Sequence, residues 1–78
     1  MKLVITIVQD NVANQVLGKL TTAGFGATKL ASTGGFLKTG NTTLIIGVED
    51  TKVSSVLGLL HDSGATVFVL DVERFERI

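Results

Sequence analysis

With 78 residues and seven basic against seven acidic side chains, the chain is expected to be one small, formally neutral domain spanning residues 1–78, without the positive footprint needed to grip a nucleic-acid polymer. It has no cysteine, which excludes disulfides and thiolate metal sites, and no apolar run near the ~20 residues needed for membrane insertion, so it reads as soluble and cytoplasmic. A domain of this size hides only about 60% of its unfolded surface, so association with other copies is expected to help stabilise it.

The first element is KLVITIV, a strand expected near 2 to 8, in which Leu3, Ile5 and Ile7 alternate with Val4 and Val8. Asp10 is placed to cap a helix near 11 to 23, whose stripe is Val12, Val16, Leu20 and Ala23 and whose left-handed stop is Gly24. A second strand is expected near 27 to 33, followed by TGGFLKTGNTT, a glycine turn with an apolar pair, Phe36 and Leu37, at its centre. The third strand, near 42 to 48, leads to Asp50, the expected cap of a helix near 51 to 63 with Val53, Leu57 and Leu60 as its stripe and Gly64 as its stop. In the last strand, near 65 to 72, Val67 and Val69 alternate with Phe68 and Leu70. The closing DVERFERI spaces Val72, Phe75 and Ile78 three apart, which suits a helical turn folding those groups back onto the body.

The two halves resemble each other. VQDNVANQVLGKLTTAG superposes on VEDTKVSSVLGLLHDSG, pairing Val8 with Val48, Asp10 with Asp50, Val16-Leu17-Gly18 with Val56-Leu57-Gly58, and Leu20 with Leu60. Two strand-helix-strand units make a βαββαβ domain of the α+β class: a four-stranded antiparallel sheet with two helices on one face. Its strands are apolar on both sides, and two helices cover one face only. Another copy of the chain is therefore expected on the second face.

No catalytic set can be assembled from these residues. His61 falls at the end of the second helix without a partner, and Asp10 and Asp50 are better explained as caps than as a carboxylate pair. GFLKTGNT departs from the P-loop pattern, with Asn41 in the lysine position and a strand where a helix should follow. The chain is expected to be no enzyme and to need no metal or cofactor. The glycine loop remains. Phe36 and Leu37 can pack on their own sheet or a neighbour; alternatively, Phe36 can stack on a nucleobase while glycine backbone approaches the ligand and Asn41 offers a donor and an acceptor.

MKLVITIVQD, ATKLASTGGFLKTGNTTLIIGVED and GATVFVLDVERFERI resemble the PII-like cyclic di-AMP receptor family, the PstA or DarA type, over nearly the whole chain. The resemblance implies a ferredoxin-like subunit in a PII-like homotrimer, holding a small nucleotide, cyclic di-AMP, in clefts between subunits. By position, Ala27 and Thr28 would line the cleft, Gly35 would be the loop's hinge, Phe36 and Leu37 would cover a base, Asn41 and Gly47 would give polar and backbone contacts, and Phe68 would come from the neighbouring subunit. The chain departs from the family at Gly24 and Gly26, where members commonly carry asparagine and arginine, and in HDSG, which replaces a long loop. These departures define an alternative: a structural trimer that has lost nucleotide binding, or that takes a different small ligand or protein partner. The downstream protein partner is left open.

Overall fold

Alternation along the first strand sends Val4, Thr6 and Val8 to one side and Leu3, Ile5 and Ile7 to the other, and the computed structural model, which describes residues 1–30 and 40–78, is built on that division. Among the described residues the order is β1 (Lys2–Gln9), α1 (Asp10–Thr22), β2 (Ala27–Leu30), β3 (Asn41–Val48), a 3-10 turn (Asp50–Lys52), α2 (Val53–Leu60) and β4 (Thr66–Asp71). The strands lie in the order β2-β3-β1-β4, and every neighbouring pair is antiparallel. This is the expected ferredoxin-like βαββαβ arrangement. No helix among the described residues is long and apolar enough to cross a membrane.

The core fills the space between the sheet and its helices. Val4 and Val8 of β1 and Leu44, Ile46 and Val48 of β3 meet Ala13, Val16 and Leu20 of α1 and Val56 and Leu60 of α2, all buried. The internal repeat is a repeat of burial: Val8 and Val48, Val16 and Val56, and Leu20 and Leu60 are equivalent positions that all enter this core. The stripes differ in detail from those expected. Leu57 is exposed and Val56 takes its place, because Val53, Val56 and Leu60 follow the three-then-four spacing of one helix face. Ala23 is also exposed, since α1 ends one residue before it.

The aspartate caps are corrected by the structure. Asp10 is the first residue of α1, behind Gln9, and makes no capping bond; the Asp10 N–H donates instead to the Gly40 carbonyl at 2.8 Å. Its carboxylate accepts from Thr42 Oγ1 at 2.5 Å, tying the start of the helix to β3. Asp50 likewise lies inside the first turn, behind Glu49, and its carboxylate meets the Met1 ammonium at 2.8 Å. Both carboxylates still sit at the positive end of a helix.

Gly24 behaves as expected. At φ +90° it closes a Schellman motif, in which Phe25 N–H donates to the Leu20 carbonyl at 2.9 Å and Gly24 N–H to Thr21 at 3.0 Å. The stop of α2 is different. It ends at Leu60 in a type II turn, with His61 at φ −59°, ψ 140° and Asp62 at φ +67°, closed by Ser63 N–H on the Leu60 carbonyl at 3.2 Å. Gly64 is left-handed at φ +73°, but it stands beyond the helix end and shapes the entry to β4. His61 is exposed at the cap position, beside Asp62 at 3.5 Å.

The segment after β4 is not a helical turn. Arg74 pairs with Glu76 at 2.7 Å, two residues apart, a spacing whose side chains do not face each other on a helix. Phe75 and Ile78 are exposed rather than folded into the core. Three apolar positions without a cap do not offset the cost of helix nucleation.

Candidate functional site

The odd-numbered residues of β1 and their partners form the face that no helix covers. The pairing register lays it out in rows: Gly47, Leu3 and Leu70; then Thr28, Ile45, Ile5 and Phe68; then Leu30, Thr43, Ile7 and Thr66. Extending the pairing of Ala27 with Ile46 by one residue sets Gly26 opposite Gly47 in the first row. Phe68 is 52% exposed and Leu70 46%. So much apolar surface in one patch marks a contact surface.

Two hollows divide this face. One, of about 460 Å³, is walled by Ile5, Ile7, Leu30, Thr43, Ile45, Phe68 and Leu70. Its one polar side chain is Thr43, which is 4% exposed and whose Oγ1 has no hydrogen-bond partner among the described residues. The second, of about 430 Å³, adjoins the first at Ile45 and is bordered by Met1, Leu3, Gly26, Thr28, Gly47, Val72 and Phe75. Both volumes fall in the range of small-ligand sites. At the rim, the Met1 ammonium is held above its ordinary value of 8.0, chiefly by its hydrogen bond to Asp50, and the same bond lowers Asp50 from 3.8. Lys2, paired with Asp71 across β1 and β4, is raised from 10.5, first by that hydrogen bond.

The site residues named from sequence divide by position. Asn41, Gly47, Thr28 and Phe68 all belong to the open face, with Phe68 on the first hollow and Thr28 and Gly47 on the second. Ala27 belongs to the opposite face, packed against the core, and offers the cleft only its backbone. Asn41 and Gly47 stand at opposite ends of β3, about 20 Å apart by strand rise. Gly35, Phe36 and Leu37 lie outside the described residues. Inspection of the sequence missed Thr43 and Phe75 as walls. Alternation along β3 sets Thr43 on the same side as Ile45, and that is the signal for it; the spacing of Phe75 from Val72 and Ile78 points to packing instead.

A model of the cyclic-di-AMP receptor family matches residues 1–64, through both helices to the turn before β4. The chain belongs to the cyclic-di-AMP receptor family. Of the site residues named from sequence, all but Phe68 fall within the matched segment. The chain is also similar to a crystal structure of a functionally unknown protein from Pediococcus pentosaceus ATCC 25745, at 41% identity and a TM-score of 0.86, over 99% of this chain and 96% of that one.

Proposed function

We propose that this chain is a non-enzymatic, PII-like signalling protein that binds cyclic di-AMP between the subunits of a cytoplasmic homotrimer. The observation that carries the proposal is the uncovered sheet face of a chain in the cyclic-di-AMP receptor family: it offers two adjoining hollows of ligand size on a surface too apolar to remain in water. Thr28, Asn41, Gly47 and Phe68 share that face, and the length separating Asn41 from Gly47 supports a cleft completed by a second subunit. Phe36 and Leu37 are assigned the covering of a base, Gly35 the hinge, and Ala27 a backbone contact.

Thermal melting with cyclic di-AMP tests the proposal. A ligand that binds only the folded state, at a hundred times its Kd, adds about 2.7 kcal/mol, a rise of about 10 to 20 °C for a domain this small. An unchanged melting temperature refutes ligand binding and favours the alternative, a purely structural oligomer, which the nearly all-apolar walls of the larger hollow would equally suit.

A further inference from the structure

The segment after β4 does not pack into the core, yet it does not leave the body either. Val72 N–H donates to the Met1 carbonyl at 3.2 Å, and Lys2 pairs with Asp71 one residue earlier, so the chain is anchored at the sheet edge just before it turns over the open face. Three residues on, Phe75 borders the second hollow and is 74% exposed. On the same hollow, the glycine end of the first row, Gly26 and Gly47, presents no side chain. Neither Gly26 nor Gly47 has a left-handed φ, and a Cβ built on either meets no heavy atom within 4 Å, so open space rather than backbone geometry distinguishes these positions. Gly26, the residue just before β2, and Gly47 of β3 border the same hollow and leave a strip of bare peptide, with Thr28 contributing a hydroxyl to the same lining.

A strip of bare peptide at the two glycines, apolar walls that include Leu3 and Ile45, an exposed aromatic residue at the border and one hydroxyl match a planar heteroaromatic ring: π-faces for the strip and the phenyl group, and heteroatoms at the edge for the hydroxyl. We propose that Phe75 is a base-stacking residue, and that it and the Gly26–Gly47 strip form a slot for one purine ring of the bound nucleotide. The proposal rests on the nucleotide-binding function proposed above and deepens it. A ligand with two adenine rings has a use for two stacking surfaces, and the open face carries two exposed aromatic residues, Phe68 on the first hollow and Phe75 on the second. The slot also gives the segment after β4 a role beyond packing: it carries part of the site.

Calorimetry with cyclic di-AMP on the unsubstituted chain and on Phe75→Ala, Phe75→Trp and Gly26→Val tests the slot. Phe75→Ala is expected to weaken binding about tenfold or more, the loss typical of one base-aromatic stack. Gly26→Val, which adds bulk where the fold has room for it, is expected to weaken binding at an unchanged melting temperature. The chain contains no tryptophan, so Phe75→Trp gives a single reporter that is expected to retain affinity and to be quenched as ligand binds. Tight binding by the unsubstituted chain that survives both Phe75→Ala and Gly26→Val unchanged overturns the slot alone. A smaller assembly mass for Phe75→Ala with unchanged affinity also overturns it, by placing the ring against a neighbouring subunit. An unsubstituted chain that binds no cyclic di-AMP overturns the proposed function and the slot with it.

Discussion

Replacing Thr6 with Val should make the protein more stable, although Thr6 lies at the centre of the sheet. The residue is 0% exposed, on the helix side of β1 between Val4 and Val8 and opposite Leu44 and Val67, and its Oγ1 has no partner among the described residues. A buried hydroxyl without a hydrogen bond costs about 1 to 3 kcal/mol, and valine has nearly the same shape without that cost. Taking the lower figure, the gain of about 1 kcal/mol corresponds to a rise of about 4 to 8 °C in Tm for a domain of this length. Thr43 is the control that makes the experiment informative about function, because its Oγ1 is equally orphaned but borders the larger hollow of the open face. Thr43→Val should raise the Tm of the ligand-free protein in the same way and weaken cyclic di-AMP binding by about 1 kcal/mol, roughly fivefold, as a lost hydrogen bond does. Thr6→Val should leave affinity unchanged. Thermal melts followed by calorimetry give both quantities. A lower Tm for Thr6→Val refutes the reasoning, since it would mean that the hydroxyl holds a bond the fold depends on.

Leu44 is 0% exposed on the inner strand β3, and Leu44→Ala should cost about 2 to 5 kcal/mol in urea unfolding, enough to remove much of a small domain's stability. Ile5→Glu puts a charge at the centre of the open face, facing Ile45 and Phe68, and should reduce the mass found by sedimentation from an assembly to a monomer; a retained assembly mass would exclude this face as the interface. The Lys2–Asp71 pair makes a prediction about alkaline pH. Because the folded Lys2 ammonium is held above 10.5, its contribution is complete below that pH and is lost as pH rises through the higher folded value, so Lys2→Met should flatten the alkaline fall in stability. The pair is exposed and its effect is expected to be small; identical alkaline limbs would show that it contributes nothing.

What could be read from the chain alone was whatever depends on neighbours in sequence. The alternation of Val4 and Val8 with Leu3, Ile5 and Ile7 specified two apolar faces, because side chains of a strand point alternately to opposite sides. The repeat of Val16 and Leu20 in Val56 and Leu60 specified two equivalent helices, each with an inward stripe, and Gly24 marked the end of the first because φ +90° suits few other residues. The bare second face followed by counting elements. Where an error of one residue changed the chemistry, sequence was insufficient: Asp10 and Asp50 fall just inside their helices, and their carboxylates are held by Thr42 and the Met1 ammonium, partners distant along the chain. The same holds for the site. Periodicity set Thr28, Asn41, Gly47 and Phe68 on their strands, but the antiparallel register alone brought Thr28 and Phe68 into one row and set Gly26 against Gly47, and only the packing of the helices decided that Ala27 faces the core. Phe75 shows the limit most clearly. Its spacing from Val72 and Ile78 suggested a helical turn, but where the ring comes to lie depends on a hydrogen bond from Val72 to Met1 across the edge of the sheet, a long-range contact that local sequence does not encode.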